Sequence, residues 1–250
     1  ADGEHELFTS GVLPRFLRRT PSVEGAVAVL YLKGISTNDF DSALQAIYGE
    51  QAASLSAATV SRLKDVFTRE YEQWRKEKLS HSRYAYIWAD GVYFNARVEG
   101  ERNCVLVVVG ATFNGEKELL AITNGVRESE ASWKELLLDL KERGLSEDPK
   151  LAIADGALGF WKALPQVFPS TRMQRCWVHK TANVLDKLPK SVQPRAKTLI
   201  RDIYQAATEE AAVEAFDHFC ESYRDKYPKA VECLERDREV MLTFYSFPGA

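Results

Sequence analysis

Residues 84–91 read YAYIWADG, an aromatic and aliphatic run that ends in an acid and a glycine. This pattern predicts a buried central strand with its last carboxylate where a turn begins. Residues 149–156, PKLAIADG, repeat it. Two such strands can lie side by side in one sheet and bring Asp90 and Asp155 together. Paired carboxylates suit a divalent cation because hard cations prefer oxygen ligands, although Asp-Gly alone is also common turn chemistry.

The composition is that of an ordinary soluble globular protein, with 45% hydrophobic and 28% charged residues among 250. No apolar run approaches the roughly 20 residues needed to span a bilayer, so we expect no membrane association. Four cysteines at irregular spacing do not form a disulfide framework. They indicate reduced thiols in a cytoplasmic protein.

The net charge of −3 hides a strong segregation of charge along the chain. Residues 171–201 contain eight basic and one acidic side chain, whereas residues 202–250 contain five basic and eleven acidic ones. A basic stretch beside two carboxylates is what an enzyme acting on a phosphate backbone needs. Three cations of this stretch are expected to contact phosphate: Arg172, Arg175 and Lys180.

Residues 1–82 are predicted to form an all-helical DNA-binding region. A helix over residues 39–49 ends at a glycine, and a second, serine-capped helix covers residues 55–64. This layout is typical of a helix-turn-helix with the second helix as the reader; a plain helical hairpin with a solvated face is the alternative. The expected DNA contacts are Thr59, Ser61, Arg62 and Lys64, supported by Arg15, Arg18 and Arg19.

Residues 83–188 are predicted to form an α/β core. Strands over 84–90, 103–112, 117–123, 150–154 and 171–176 alternate with helices in the order β-β-β-α-β-α-β-α, and the Asn114-Gly115 pair predicts a hairpin. An initial antiparallel hairpin followed by parallel crossovers is the ribonuclease-H-like arrangement, a mixed five-stranded sheet with flanking helices. Residues 189–250 have amphipathic helical periodicity throughout.

The sequence resembles the Mutator-type transposases of bacterial insertion sequences. The resemblance rests on Asp90-x-x-Tyr93-x-x-x-Arg97, on Gly125-x-Arg127-Glu128-Ser129-x-x-Ser132-Trp133, on Leu140-Lys141-x-Arg143-Gly144-Leu145, on Asp155-Gly156, and on Arg175-Cys176-Trp177-x-His179-Lys180. It implies a ribonuclease-H-like core with an Asp-Asp-Glu triad, an all-helical insertion before the Glu, and an amino-terminal DNA-binding region. Asp90 and Asp155 match the first two acids.

The third acid of the family has no counterpart in this sequence. The family's Glu follows a stretch beyond a Phe-Pro turn, and the chain stops shortly after Phe247-Pro248, within the expected insertion. The resemblance implies two-metal phosphoryl transfer with Mg²⁺, or Mn²⁺ as a substitute, in which Asp90 bridges both ions and Asp155 holds one. We therefore expect residues 1–250 alone to bind DNA without cutting it.

Cys176-x-x-His179 has three interpretations. It could be half of a zinc site, but the sequence has no suitable second pair, since His218-x-Cys220 is a poor partner. It could be a small buried Cys beside a helix-starting His. The family resemblance implies instead that both residues lie at the end of strand five and shape the site.

The leading hypothesis is a transposase that cleaves DNA and transfers strands at insertion-sequence ends. Its partners would be double-stranded DNA, as terminal repeats and target, and further copies of itself; its location would be the bacterial cytoplasm, on the nucleoid when bound to DNA. One alternative is a non-catalytic DNA-binding fragment that lacks the third acid. Another is a different ribonuclease-H-like nuclease, which the predicted duplex reader argues against.

Overall fold

The computed structural model describes residues 57–94, 103–125, 128–156 and 158–247. The chain divides into two compact units, residues 1–76 and 77–250. The predicted division into 1–82, 83–188 and 189–250 stays a proposal. Within the described ranges, no helix is long and apolar enough to cross a membrane.

The first unit contains one described helix, α1 (Ala57–Trp74). It runs through the described part of the predicted reader helix (residues 55–64) and on to Trp74 without a break. Arg62 and Lys64 are exposed on α1. The predicted helix over residues 39–49 and the three arginines at 15, 18 and 19 lie outside the described residues, so the helix-turn-helix stays a prediction.

The second unit is built on a five-stranded sheet. Its strands are β1 (Tyr84–Phe94), β2 (Asn103–Thr112), β3 (Lys117–Gly125), β4 (Leu151–Ala154) and β5 (Arg172–Arg175). Their order across the sheet is β3-β2-β1-β4-β5, with antiparallel pairing among the first three and parallel pairing of β1 with β4 and of β4 with β5. The predicted ribonuclease-H-like arrangement, with β1 central and β4 beside it, is confirmed.

Strand β1 is longer than predicted, and Asp90 is not its last residue. The antiparallel pairing with β2 continues past the Asp-Gly pair, from Gly91 opposite Leu106 to Phe94 opposite Asn103. The parallel pairing with β4 stops at Ala89 opposite Ala154. The hairpin with β2 therefore overrides the local turn preference of Asp-Gly, and it is β4 that ends here.

One face of the sheet is covered by α2 (Glu130–Glu142) and α3 (Leu158–Val167). Ser129 caps α2, because its Oγ accepts a hydrogen bond from the Ser132 amide at 3.1 Å. The apolar cluster between the sheet and these helices includes Ile87, Leu106, Val108, Trp133, Leu137, Phe160 and Leu164. The Trp133 and Phe160 rings meet edge to face, with their centroids 5.1 Å apart.

The described part of the chain after β5, up to residue 247, is helical, as predicted. Its helices are α4 (Trp177–Leu185), α5 (Gln193–Tyr204), α6 (Glu209–Tyr223), α7 (Pro228–Glu235) and α8 (Arg238–Met241), followed by a 3₁₀ turn (Thr243–Ser246). They enclose a second apolar cluster that includes Val184, Ile200, Phe216, Phe219, Val231 and Leu234. This segment, residues 177–247, therefore has a core of its own, and we call it the helical segment.

The helical segment is attached to β5 through Gln174, whose side chain is 3% exposed. Its Nε2 donates to the Met241 carbonyl at 2.9 Å, and its Oε1 accepts from the Phe244 amide at 3.1 Å. Beside this contact, on the sheet face opposite α2 and α3, lies a cavity of about 860 Å³. Its lining includes Tyr86, Trp88, Ile153, Tyr204, Tyr245 and Phe247.

Candidate active site

Asp90 and Asp155 occupy equivalent positions on neighbouring parallel strands. Each follows directly after the last residue pair of the β1–β4 ladder, Ala89 opposite Ala154. Adjacent strands lie about 4.8 Å apart, so the backbones of the two aspartates are close together. Both residues are half-buried. The structure thus brings together the two acids that the repeated sequence pattern singled out.

The backbone of Asp155 is held by two side-chain donors. Its carbonyl oxygen accepts a hydrogen bond from Trp161 Nε1 at 2.7 Å and another from Arg175 Nη1 at 3.0 Å. The guanidinium also fills the space beside Gly156, where a Cβ would lie only 2.7 Å from Arg175 Nη2. The turn that carries Asp155 is therefore fixed by α3 and β5 together.

A third carboxylate, Glu128, lies near this pair and was not predicted as a site residue. A Cβ built on Gly91 would lie 1.8 Å from Glu128 Oε1, and one on Gly159 would lie 2.3 Å from the Glu128 carbonyl oxygen. Two glycines, one on β1 and one on α3, thus make room for this segment. Glu128 belongs to no strand ending, so the pattern that identified the aspartates could not find it.

The ionisation of Glu128 is influenced by both aspartates. Burial raises the pKa of its carboxyl, and the negative charges of Asp155 and Asp90 raise that pKa further. The charge of His179 and a hydrogen bond with Tyr93 act in the opposite direction. Negative charge is therefore concentrated near the carboxyl end of β4.

Asp90 and the Glu128 carboxylate lie on opposite faces of β1. Side chains alternate along β1, so Asp90 lies on the same face as Trp88. Gly91 lies on the other face, with Ile87, and the Glu128 carboxylate lies over Gly91. In keeping with this, the described residues contain no group of three or more His, Cys, Asp or Glu side chains placed to hold a metal ion. Asp90 and Asp155, which both follow the last residue pair of the β1–β4 ladder, are the closest match to the predicted site.

Cys176 and His179 lie beside the acids, at the end of β5. Cys176 is half-buried at the N-cap of α4, which begins two residues before the predicted start, and its amide donates to the Ala154 carbonyl at 2.8 Å. His179 is exposed and close enough to the acids to lower the pKa of Glu128. Cys220, part of the pair judged a poor zinc partner, is buried in the second apolar cluster. The site-shaping role of Cys176 and His179 stays a prediction.

The three cations predicted to contact phosphate have different surroundings. Arg172 is exposed, and its guanidinium lies over the Phe247 ring, 5.5 Å from the ring centre. Arg175 and Lys180 both face Asp237 of the helical segment in ion pairs. Lys180 is buried, and its Nζ also donates to the Cys233 carbonyl at 2.7 Å. DNA contact by these three residues stays a prediction, and for Lys180 it would require release from Asp237.

The protein has a ribonuclease-H-like sheet in which Asp90 and Asp155 follow the last residue pair of the central parallel ladder. The sequence matches the family described as "Transposase, Mutator family" over residues 4–250. The chain therefore belongs to the Mutator family of transposases.

Named relatives cover most of the chain. It is 47% identical over 221 residues to the transposase for insertion sequence element IS6120 of Mycolicibacterium smegmatis, a match that spans 88% of this chain and 68% of that protein. It is 46% identical over 207 residues to the transposase for IST2 of Acidithiobacillus ferrooxidans, spanning 83% of this chain and 70% of that one.

Among solved structures, the catalytic core domain of HTLV-2 integrase in complex with magnesium is similar at 13% identity. The match covers 54% of this chain and 86% of that domain, with a TM-score of 0.28.

Proposed function

We propose that this transposase cleaves DNA and transfers strands at insertion-sequence ends in a reaction that depends on a divalent cation. The observation that carries the proposal is the equivalent placement of Asp90 and Asp155 after the last pair of the β1–β4 ladder. Membership of the Mutator transposase family supplies the reaction class.

The donor set fits Mg²⁺, with Mn²⁺ as a substitute. Mg²⁺ is commonly held by one or two carboxylates, and waters and substrate phosphate oxygens complete its shell. Asp90 and Asp155 would supply those carboxylates. When bound, the cations would activate an attacking oxygen and stabilise the leaving 3′-oxygen. The carboxylate of Glu128 adds negative charge nearby, which further favours a cation beside Asp90 and Asp155.

The protein's own groups would orient the reaction. Trp161 and Arg175 hold the Asp155 carbonyl, so the carboxylate is presented from a fixed backbone. Such orientation matters because small displacements of reacting groups cost large factors in rate. Arg62 and Lys64, exposed on α1, would contact duplex DNA, and further copies of the chain would assemble on the two element ends.

Metal binding tests the proposal without depending on turnover. Titration of Mn²⁺ against the 250-residue chain, followed by the loss of the free-ion EPR signal, should show binding that Asp90→Asn and Asp155→Asn abolish. Asp148→Asn is the matched control. It lies at the opposite end of β4, and its Oδ2 accepts from the Ser170 amide at 2.8 Å, a role an amide oxygen can keep.

The outcomes separate the competing functions. Mn²⁺ binding unaffected by both aspartate variants would overturn the proposal. DNA binding without any Mn²⁺ binding would favour the non-catalytic DNA-binding alternative. Preference for an RNA–DNA hybrid over a DNA duplex would favour the alternative nuclease. A parallel incubation of DNA with Mg²⁺ answers whether residues 1–250 cut DNA on their own.

A further inference from the structure

A line of polar contacts runs from the backbone of Asp155 into the helical segment. Arg175 Nη1 donates to the Asp155 carbonyl at 3.0 Å, and Arg175 Nη2 lies 3.4 Å from Asp237 Oδ2. The same Asp237 oxygen accepts a hydrogen bond from Lys180 Nζ. Asp237 lies between α7 and α8, so a residue far along the chain is connected to the turn that presents Asp155.

These charges are largely removed from water. The side chains of Lys180, Arg175 and Asp237 are 4%, 18% and 19% exposed. In such surroundings an ion pair is held firmly, and loss of one partner leaves an uncompensated charge. The two cations facing one carboxylate are therefore a fixed arrangement of the interior and differ from mobile surface charges.

We propose that Asp237 is a positioning residue for the acid site, acting through Arg175 on the turn that carries Asp155. The inference rests on the proposed function, because it concerns how Asp155 is presented to the cation. Asp237 anchors the guanidinium, and the guanidinium holds the Asp155 carbonyl and fills the space beside Gly156. Lys180 balances the remaining charge of the carboxylate.

The chemistry of arginine suits this position. A guanidinium is planar and presents donors in a rigid fork, so one group can serve the Asp155 carbonyl and the Asp237 carboxylate at once. An ammonium is a compact point charge without that fork. Gly156 belongs to the same arrangement, because a side chain there would meet the guanidinium at 2.7 Å. A lysine in place of Arg175 is therefore expected to lose the connection although it keeps the charge.

The experiment separates positioning from general stability through two variants. Arg175→Lys leaves the pair between Lys180 and Asp237 in place. Lys180→Met combined with Asp237→Leu removes the anchor and replaces the buried Lys180–Asp237 pair by apolar groups, a change that is often neutral for stability; Arg175 then lacks a carboxylate partner but keeps its hydrogen bond to the Asp155 carbonyl. The control is Asp217→Asn, which removes a carboxylate of the same helical segment that pairs with Arg238 at 2.6 Å.

We expect Arg175→Lys and the double variant to unfold close to the wild-type temperature and to bind Mn²⁺ about tenfold more weakly, the size of effect seen for groups that orient metal ligands. Asp217→Asn should bind like the wild type. If both test variants bound Mn²⁺ with wild-type affinity while Asp90→Asn bound none, the positioning role would be overturned and the proposed function would stand. Absence of Mn²⁺ binding in the wild type would overturn both.

Discussion

Glu128 occupies the space over Gly91 that a side chain at position 91 would need. A Cβ there would lie 1.8 Å from Oε1, 2.3 Å from Cδ and 2.6 Å from Cγ of Glu128. Gly91 directly follows Asp90, so the glycine of the Asp-Gly pair makes room for a carboxylate on the face of β1 opposite Asp90. Gly91 is not needed here for a turn, since β1 continues through it as a strand. What the absence of a side chain provides is space for Glu128.

Replacement of Gly91 by alanine should move the Glu128 carboxylate without unfolding the protein. The atoms in conflict belong to the flexible end of a side chain, which can turn toward solvent. Crowding of this kind typically costs about 1–3 kcal/mol. Once displaced, Glu128 loses the burial and like charges that raise its pKa, so its pKa should fall toward the ordinary value. Carbon-detected NMR titration of the Glu128 carboxyl measures this change.

The matched control is Val92→Ala, at an exposed neighbouring position of β1. Its Glu128 titration should follow that of the wild type. An unchanged Glu128 pKa in Gly91→Ala would show that β1 shifts to accept the methyl group and that Glu128 stays in place.

Glu128 should also make stability depend on pH in a specific direction. Its pKa in the folded protein is raised above that of the unfolded chain. Between the two values the folded state binds more protons, so the free energy of unfolding falls as pH rises through this window. Glu128→Gln removes that decline, and the variant should be more stable than the wild type above the window.

Urea denaturation gives the difference in unfolding free energy between the wild type and Glu128→Gln as a function of pH. The measurements run from below the ordinary carboxyl pKa to neutrality, without divalent cations. Glu130→Gln serves as the control, because Glu130 is exposed and its carboxylate accepts from Gln166 at 2.7 Å. A wild-type minus Glu128→Gln difference that does not change with pH would contradict the raised pKa.

Lys180 should be important for stability because it is buried beside Asp237. Lys180→Met removes the ammonium and leaves Asp237 facing only Arg175, at 3.4 Å. Breaking a buried pair on one side typically costs about 3–5 kcal/mol, and we expect the lower end because Arg175 remains. Chemical denaturation measures the loss.

Two comparisons interpret that loss. Adding Asp237→Leu to Lys180→Met should restore part of the stability, since the uncompensated carboxylate is removed while Arg175, which also faced it, keeps its hydrogen bond to the Asp155 carbonyl. Arg224→Met breaks the exposed pair with Glu235 and should cost about 1 kcal/mol or less. A Lys180→Met variant as stable as Arg224→Met would mean that water reaches Asp237 freely.

The sheet was predictable from the sequence because its signals are local. Runs of β-branched residues define β2, and Asn114-Gly115 forms the turn before β3, where Gly115 has a φ of 83°. The extension of β1 past Asp90 was not predictable, because Asp-Gly favours a turn and only pairing with β2 overrides it. The two aspartates could be named as candidates because each follows a readable strand pattern, and the site they would form stays a prediction.

The contacts of Lys180 and Glu128 could not be found by the same reasoning. Lys180 and Asp237 are 57 residues apart in sequence, and no periodicity links them. The available signal was the charge segregation itself, since the basic stretch 171–201 is followed by an acidic one. A basic stretch suggests DNA, but part of its charge is satisfied inside the protein. Glu128 reaches the site through room at Gly91 and Gly159, which only the folded chain shows.

The last prediction concerns DNA binding by α1. Arg62 and Lys64 are exposed there, and each phosphate contact releases condensed counterions from the duplex. Arg62→Ala combined with Lys64→Ala should weaken binding to a DNA duplex and lower the slope of log affinity against log salt by about 2, close to one unit per lost contact. Fluorescence anisotropy over a range of salt concentrations measures both quantities.

The control for this variant is Arg75→Ala, which removes an exposed cation beyond the end of α1 that pairs with Glu72 at 3.7 Å. It should leave the salt slope within error of the wild type, because its charge is already matched and lies beyond the predicted reader. A double variant that keeps the wild-type affinity and slope would show that this face of α1 does not contact DNA. Equal losses of DNA affinity in the double variant and in Arg75→Ala would instead indicate diffuse electrostatic attraction by the whole helix, with no DNA-reading helix in residues 55–64.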